Sequence, residues 1–445
     1  MASEKENRKI SKDALFEILR DQNCWFKDIK LDYIQRPVYL KQLNKLIASK
    51  SIVAIKGARR AGKTVLLKLL IQNLIKKISK EQILYVNLED YRLYPYYSLE
   101  LLERILETYK ENINPDKKVF FIMDEIQNIR GFEHFLRTLY DKEENIKLII
   151  TGSNSKLLSK ELGTLLTGRI SAITVFPFSF EEFLAFNRIV LEKKEYFNLE
   201  EKKGVIKKHF NKYLHFGAIP EFLKDKEPFF RLREYLDNIL FKDIVERFSI
   251  RNIKLIKELS LYLMANSSKI FSINQISRIF KVSINTIQEY LSNLNMAYLF
   301  FYLDKFSFSA KERITAQSKV YCIDSGLVNS IRSKFSKDYG RLLENIVFLE
   351  LLRGNKEIYY HSDSEKECDF VIKENLKVTE AIQVTKSLED KKTKEREIEG
   401  LAKALEKFNL SKGLILTEDE FKNISYKGLK ILVRPVWFWL LNKKG

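Results

Sequence analysis

The sequence predicts an α/β fold, followed by a helical region and a second region of mixed strands and helices. In the first 170 residues, strand-like apolar runs alternate with segments of helical periodicity. The runs SIVAIK, ILYVNLED, KVFFIMDE and KLIITGS are apolar along most of their length, as parallel strands are when helices cover both faces of a sheet. Helical spacing dominates from about residue 175 to 265, and alternation returns from Lys319 onward.

The composition favours a folded protein with an anionic partner. Of the 445 residues, 45% are hydrophobic, which is enough for packed cores in about three domains. Lys and Arg number 78 against 59 Asp and Glu, and the net charge of +19 indicates nucleic acid, an anionic membrane surface or nucleotide phosphates. The apolar run near the C-terminus is too short to span a bilayer, and the N-terminus lacks the apolar core of a signal peptide. We therefore expect no membrane partner.

The cysteines and the absence of two catalytic motifs argue against several classes of metal site and hydrolase. Cys24, Cys322 and Cys368 are far apart and form no CxxC pair, which predicts a reducing cytoplasm and argues against a Cys-rich zinc site. The sequence contains no HExxH and no GxSxG motif, so it gives no support to zincin or α/β-hydrolase chemistry. We expect a cytoplasmic protein.

A phosphate-binding loop follows the first strand. The pattern GxxxxGK[ST] is matched throughout by Gly57, Ala58, Arg59, Arg60, Ala61, Gly62, Lys63 and Thr64. The loop lies between a strand and a helix, where backbone N–H groups wrap an anion and the helix N-terminus adds positive charge. Lys63 is expected to reach the β- and γ-phosphates of ATP, and Thr64 to ligate Mg²⁺. The alternative is a chance glycine-rich turn.

A second motif ends the strand KVFFIM with Asp124 and Glu125. This Walker B arrangement predicts Asp124 as a Mg²⁺ ligand and Glu125 as the group that orients water against the γ-phosphate. ILYVNLED lies between the two motifs, which is typical of the additional-strand class of P-loop ATPases. KLIITGS is expected between the two motif strands in space, leaving Ser153 or Asn154 as a γ-phosphate sensor. An ordinary turn at a strand end is the alternative.

A helix-turn-helix is predicted near residues 272–296. Ser272 and Ser283 are good N-caps, and the apolar residues behind them share one face. The predicted inward residues are Ile273, Ile276, Phe280, Ile284, Ile287, Leu291 and Leu294; the outward ones are Asn285, Gln288, Glu289 and Asn293. Residues 251–320 hold ten Lys or Arg against four Asp or Glu, a local charge of +6. With the aromatic hairpin that follows, this predicts a winged helix that contacts DNA. Packing within the protein or between subunits is the alternative.

Several longer motifs identify a family resemblance: GARRAGKT, FIMDEIQ, ITGSNSKLLSKELGTLLTGR, FPFSFEEFL, YLHFGAIPE, KVYCIDSGL, GRLLENIVFLEL and ECDFVI. From about Tyr33 onward, the chain resembles archaeal and bacterial ATPases of the AAA superfamily that carry a C-terminal DUF4143-type, PD-(D/E)XK nuclease-like domain. The resemblance implies that Arg169 is an arginine-finger candidate that stabilises charge on the γ-phosphate, either of a neighbouring subunit or of its own chain. A loop arginine in a basic protein is the alternative.

The resemblance also implies a nuclease-like carboxylate site in the last domain. Glu344 lies on a predicted helix and Asp369 on a strand, but the expected E-x-K pair reads Gln383-Val384-Thr385. Gln383 brings no charge, and no lysine follows it on the same face of the strand. We therefore expect a vestigial site of Glu344, Asp369 and Gln383 with little or no cleavage.

These observations predict five segments. They are an N-terminal extension (1–32), an AAA-type ATPase core (33–175), a helical lid (176–250), a winged helix-turn-helix (251–318) and a nuclease-like domain (319–445). The predicted function is a Mg²⁺-dependent ATPase coupled to a DNA-associated module, with ATP and Mg²⁺ as cofactors and a homo-oligomer or a partner protein as its assembly. The alternatives are a nucleotide-gated protein-binding switch with slow turnover and an ATP-assisted DNA nuclease.

Overall fold

The structure is a computed structural model in which residues 9–27, 32–113, 117–152, 166–189, 191, 202–309, 311–312, 316–331, 339–363 and 366–442 are described. The chain divides into two compact units, Met1–Val175 and Phe176–Gly445. None of the helices in the described ranges has the length and apolar character that crossing a bilayer requires.

The first unit is built on a parallel five-stranded sheet. Its strands are β1 (Ile52–Gly57), β2 (Ile83–Asn87), β3 (Val119–Asp124), β4 (Ile146–Thr151) and β5 (Ile170–Val175). They lie in the order β2-β3-β4-β1-β5, and every neighbouring pair is parallel. The predicted α/β class is confirmed, and β4 lies between the P-loop strand and the Asp124 strand as predicted.

Helices surround this sheet. They are α1 (Lys12–Gln22), α2 (Pro37–Ile47), α3 (Lys63–Leu74), α4 (Leu99–Asn112) and α5 (Phe132–Lys142). The apolar faces of α1, α4 and α5 join the strands in one hydrophobic core. The segment after α1 covers the outer edge of β2, because the Asn23 side chain accepts a hydrogen bond from the Tyr85 N–H (2.7 Å) and donates one to the Tyr85 carbonyl (2.8 Å). Covering a sheet edge in this way blocks pairing with another strand.

The second unit begins with helices. They are α6 (Phe180–Phe186), α7 (Lys203–Phe216), α8 (Pro228–Asn238), a π-helical segment (Ile239–Val245), α9 (Glu246–Phe248) and α10 (Ile253–Ala265). The YLHFGAIPE and CIDSGL motifs meet here: Asp324, the N-cap of α13 (Ser325–Ser330), accepts hydrogen bonds from the N–H groups of Ala218 (2.7 Å) and Leu327 (3.2 Å). A β-carbon on Gly217 would lie 1.9 Å from Asp324 Oδ1, so this position requires glycine.

Two helices and a small sheet follow α10. They are β6 (Lys269–Phe271), α11 (Ile273–Phe280), α12 (Ile284–Met296), β7 (Phe300–Leu303) and β8 (Ser318–Cys322). The strand order is β6-β8-β7, so β8 crosses the predicted boundary at residue 318 and completes this sheet. Ser272 and Ser283 cap the two helices as predicted.

The predicted helix faces need two corrections. Ile284 is 45% exposed rather than inward, and Asn293 is 4% exposed rather than outward. Asn285, Gln288 and Glu289 do face solvent. Ile284 lies in the first turn of α12 and Asn293 in its last turn, and the helix packs against α11 and β7.

The chain ends in a six-stranded mixed sheet with three helices. The elements are α14 (Tyr339–Arg353), β9 (Glu357–Asp363), β10 (Lys366–Glu374), β11 (Lys377–Val384), α15 (Lys391–Lys407), β12 (Lys412–Thr417), β13 (Lys422–Tyr426), β14 (Leu429–Pro435) and α16 (Val436–Leu441). The strand order is β13-β14-β12-β11-β10-β9. The charge-rich helix α15 buries an apolar face that includes Leu401 and Leu405 against this sheet and leaves its lysines outside.

Candidate functional site

The P-loop joins β1 to α3 at the carboxyl edge of the first sheet. Gly57 has a φ of 144°, and a β-carbon there would lie 2.1 Å from the Val175 carbonyl oxygen, so the close approach of β1 to β5 requires glycine. Gly62 has a φ of 92° at the N-cap of α3. The two motif glycines are thus placed where backbone geometry excludes other residues.

Lys63 is the first residue of α3, and its side chain turns back into the P-loop. Its Nζ donates to the carbonyls of Gly57 (3.1 Å) and Ala58 (3.2 Å), and the residue is 5% exposed. Lys63 and Thr64 form the first turn of α3, where backbone N–H groups have no partner within the helix and the helix dipole is positive. The loop therefore presents an ammonium group and helix N–H groups together, an arrangement that suits phosphate.

Asp124 ends β3 and is surrounded by hydroxyl groups. Its Oδ2 accepts a hydrogen bond from Tyr85 Oη (3.1 Å), its Oδ1 accepts one from Thr151 Oγ1, and Thr64 also hydrogen-bonds to it. Asp124 is 1% exposed, and this burial raises its pKa although the hydroxyl donors act in the opposite direction. Three neutral donors orient this carboxylate without neutralising its charge.

Glu125 follows in a left-handed conformation with a φ of 57°. Its backbone N–H donates to Thr151 Oγ1 (2.9 Å), and its Oε2 accepts a hydrogen bond from the Gln127 amide. Thr151 thus bridges the two acidic residues from the end of the neighbouring strand β4. A residue other than glycine rarely adopts this left-handed conformation without a functional or structural reason.

Arg36 supports the P-loop from the start of α2, and the sequence patterns missed it. Its Nη1 donates to the Ala61 carbonyl (2.8 Å), and its guanidinium lies 4.5 Å from the centre of the Tyr39 ring. Arg36 is 1% exposed. No motif marks this residue. The one local signal is the proline that follows it, because proline at the first position of a helix places Arg36 at the helix N-cap.

Arg169 lies at the end of the sheet where β1 and β5 begin, whereas the P-loop lies at the end where β1 finishes. Its carbonyl accepts a hydrogen bond from the Ile52 N–H (2.7 Å) at the start of β1, whereas Gly57 ends that strand. Gly57 lies five residue steps after Ile52 along β1, a span of about 16 Å at ~3.3 Å per step. The Arg169 guanidinium instead pairs with Asp141 (3.2 Å) and is partly exposed.

The residues at the carboxyl edge fit a magnesium–nucleotide complex. Mg²⁺ usually takes one or two protein oxygens and completes its shell with water and phosphate oxygens. Thr64 and Asp124 lie within hydrogen-bonding distance of each other and offer such oxygens. Across the described ranges, no group of three or more His, Cys, Asp or Glu is arranged to hold a metal without a nucleotide. The predicted sensor residues Ser153 and Asn154 lie outside the described residues.

Comparisons with known proteins agree with this geometry. A family model described as "AAA domain" matches residues 49–184. Uncharacterized protein MJ1544 of Methanocaldococcus jannaschii is 38% identical over 94% of this chain and 95% of its own length. The chain belongs to the family of this protein. It carries an AAA-type ATPase domain, and its strand order and P-loop are those of that domain.

More distant relatives extend the comparison. A Haemophilus influenzae protein is 30% identical over 76% of this chain and 83% of its own length. The solved Aeropyrum pernix ORC1 protein in complex with DNA matches 72% of this chain and 96% of its own, at 13% identity and a TM-score of 0.29. A likeness at that score supports no further conclusion.

The predicted DUF4143-type domain is not what the comparisons show. A second model, described as "Domain of unknown function (DUF8612)", matches residues 207–338, which are the helices and the small sheet after the AAA domain. YLHFGAIPE and KVYCIDSGL lie in this range, whereas GRLLENIVFLEL and ECDFVI lie after it. The first two motifs meet where Asp324 accepts a hydrogen bond from the Ala218 N–H.

The second unit of this AAA-domain protein does bring two predicted carboxylates together. Glu344 on α14 and Asp369 on β10 both bind the Nζ of Lys319 on β8, at 2.9 and 2.8 Å. Glu344 also accepts a hydrogen bond from Tyr321 Oη (2.7 Å), and Glu367 completes an acidic shell around the same ammonium. Lys319 was not predicted as a site residue, because the expected E-x-K pattern places its lysine after Gln383.

Gln383 is engaged elsewhere. Its Oε1 accepts a hydrogen bond from the Asp369 N–H (3.1 Å), and its amide donates to Glu397 on α15. The second oxygen of Asp369 accepts the Val384 N–H (2.8 Å). The oxygen that Gln383 was expected to offer to a metal therefore accepts a hydrogen bond from the backbone of the neighbouring strand β10.

Proposed function

We propose that the protein is a Mg²⁺-dependent ATPase whose nucleotide cycle acts on a DNA-binding module in its second unit. The observation that carries the proposal is the meeting of Thr64 and Asp124 beside Lys63, with Glu125 next along the chain. Phosphate-binding N–H groups, an ammonium and an acidic pair at one sheet edge are the parts that phosphoryl transfer to water uses.

Each residue has a separate role in this proposal. Lys63 and the N–H groups of α3 bind the β- and γ-phosphates, and Thr64 and Asp124 hold the metal. Bound Mg²⁺ would neutralise charge on the phosphate oxygens. Glu125 orients the attacking water and accepts its proton, and Thr151 keeps the Glu125 backbone beside Asp124.

The position of Arg169 favours a role between subunits. Because it lies about 16 Å along β1 from the P-loop, it does not reach its own nucleotide. We propose that it stabilises charge on the γ-phosphate held by a neighbouring copy. Mixing Arg169→Ala chains with Glu125→Gln chains tests this: each alone is inactive, and mixed assemblies regain ATPase activity, because each variant supplies what the other lacks. Absence of recovery in assemblies shown to be mixed counts against action between subunits.

The DNA part of the proposal depends on α11 and α12. Arg278 and Lys281 are exposed at the turn between these helices, beside the exposed polar face of α12. Not all of the +6 counted from sequence is available, because Lys319 is buried. Cations at the turn would contact phosphates, and Asn285 and Gln288 would face the groove.

A protein-binding switch is the second candidate, and one observation favours it. Ile279 and Ile284, on either side of the same turn, are 50% and 45% exposed. Adjacent exposed aliphatic residues are more typical of a protein contact than of a phosphate contact.

One experiment separates the candidates. ATP turnover is measured with and without single-stranded, duplex and branched DNA, and DNA affinity is measured across salt. We expect stimulation by DNA and an affinity that falls steeply with salt. Arg278→Ala/Lys281→Ala should reduce both, whereas Lys377→Ala/Lys412→Ala on the last sheet removes the same charge from exposed positions and should have little effect. Turnover without any response to DNA favours the protein-binding switch.

A further inference from the structure

The second unit contains a lysine that is buried among carboxylates. Lys319 is 1% exposed, and its Nζ lies 2.8 Å from Asp369 Oδ1 and 2.9 Å from Glu344 Oε1, with Glu367 as a third acidic neighbour. Glu344 and Asp369 are themselves 7% and 5% exposed. An ammonium thus sits at the point where the two buried carboxylates converge.

This ammonium has the position and the charge of a bound cation. An ammonium donates three hydrogen bonds, and all three of its N–H groups have an acidic neighbour here. Burial disfavours the charge of Lys319, but Asp369 and Glu344 hold its pKa well above the ordinary value. Burial and the Asp369 carboxylate raise the pKa of Glu344. Without the lysine, the acidic groups would repel one another in a poorly hydrated site.

The lysine also connects two sheets of the second unit. Lys319 belongs to β8 of the three-stranded sheet, whereas Asp369 and Glu367 belong to β10 of the six-stranded sheet. Tyr321, two residues along β8, points the same way and donates to Glu344. The ion cluster therefore fixes the helix-turn-helix segment against the last sheet.

We propose that Lys319 is the resident cation of this cluster and that it excludes divalent metal ions from it. The cavity beside the cluster, about 380 Å³ in volume, is lined by four acidic residues that include Glu344 and Asp369, and also by Arg341 and Arg396. On this proposal it holds no divalent metal ion. The inference does not depend on the ATPase proposal. Because a cluster without a metal has nothing to polarise water, we expect this nuclease-like arrangement of carboxylates not to cleave DNA.

Replacing the lysine should convert the cluster into a metal site. In Lys319→Met the carboxylates of Glu344, Asp369 and Glu367 remain, and hard oxygen ligands of this kind bind Mg²⁺, Mn²⁺ and Ca²⁺. The matched control is Lys147→Met. Lys147 is also buried (2% exposed), but its Nζ binds backbone carbonyls of Leu46 (2.9 Å), Ser49 (2.6 Å) and Ser51. Its removal leaves neutral acceptors and no carboxylate.

The experiment is a Mn²⁺ titration of the full chain without nucleotide, followed by electron paramagnetic resonance and by thermal unfolding. Wild type and Lys147→Met should bind no Mn²⁺ at submillimolar concentration. Lys319→Met should bind one ion per chain, show a rise in Tm with Mn²⁺ that wild type lacks, and lose both effects in Lys319→Met/Asp369→Asn. If Lys319→Met is unfolded without metal, Mn²⁺ should restore its fold.

Two results overturn the proposal. One is Mn²⁺ bound by wild type without nucleotide and lost in Asp369→Asn, because the lysine then does not exclude metal. The other is Lys319→Met that binds no Mn²⁺, whether it is folded or fails to fold with and without the ion.

Discussion

Each unit buries a carboxylate in its sheet, Asp124 at the end of β3 and Asp369 within β10, but the two carboxylates have different partners. Asp124 in the AAA domain accepts hydrogen bonds from the hydroxyl groups of Tyr85, Thr151 and Thr64. Asp369 in the last sheet instead pairs with the ammonium of Lys319. Hydroxyl donors orient a carboxylate and leave its charge for an incoming cation, whereas an ammonium neutralises it. We infer that donor type, more than burial, distinguishes a carboxylate that can take a metal from one that excludes it.

The largest expected effects separate binding from hydrolysis at the AAA site. Glu125→Gln should keep ATP bound and lower turnover by about 10³-fold, because an amide does not accept the proton of the attacking water. Lys63→Ala should weaken nucleotide binding itself, because the charge facing the phosphates is lost. Fluorescent-nucleotide binding and phosphate release are measured on both. Equal loss of binding in the two variants would contradict this division.

The next effect concerns stability in the second unit. Lys319→Met, measured by urea unfolding without metal, should lose about 3–5 kcal/mol, the usual penalty for leaving buried carboxylates without their counterion. Lys319→Met/Glu344→Gln/Asp369→Asn should recover part of this loss, because the uncompensated charges are gone. A triple variant that is less stable than Lys319→Met would show that charge is not the cause.

We expect low pH to lower the stability of the second unit by protonating His361, which is not part of the Lys319 cluster. His361 is 2% exposed, and within the described residues neither ring nitrogen has a hydrogen-bond partner. Burial lowers its pKa to about 4, below the unfolded value, so the unfolded chain binds its proton first. Stability should be full above pH 6.5 and fall by about 3 kcal/mol towards pH 4.

The test compares His361→Phe with wild type between pH 4 and pH 7. The variant keeps an aromatic ring against Phe408 and should lose the part of the acid sensitivity that the histidine causes. Parallel pH profiles for the two proteins would assign the sensitivity to other groups.

The smallest effect is at the hydroxyl donors of Asp124. Tyr85→Phe removes one hydrogen bond to the Asp124 carboxylate and should lower stability by about 2 kcal/mol, below the effect of Lys319→Met. It should also weaken metal-dependent ATP binding only a few-fold, because Thr151 and Thr64 still orient the carboxylate. A loss of activity as large as that of Glu125→Gln would mean that Tyr85 takes part in the chemistry.

Local patterns predicted much of the AAA domain. The P-loop spacing and the Asp124–Glu125 strand end are encoded within a few residues, and the position of β4 follows from the usual order of such sheets. Arg36 was missed because its partner, the Ala61 carbonyl, is a backbone atom that no sequence pattern marks.

The second unit was less predictable because its key contacts are between distant segments. Lys319 lies 50 residues before Asp369, and nothing in the sequence pairs them. A charged residue inside the otherwise apolar strand KVYC was the one available signal. The predicted faces of α12 were wrong at Ile284 and Asn293 because neighbouring elements, and not helical periodicity alone, decide which turns are covered.

The most direct test of the contrast between the two carboxylate sites is a count of bound Mn²⁺ in the presence of a non-hydrolysable ATP analogue. We predict one ion per wild-type chain, lost in Asp124→Asn and retained in Asp369→Asn, because only the AAA site leaves its carboxylate charge available. Loss of an ion in Asp369→Asn, or two ions in wild type, would contradict this account.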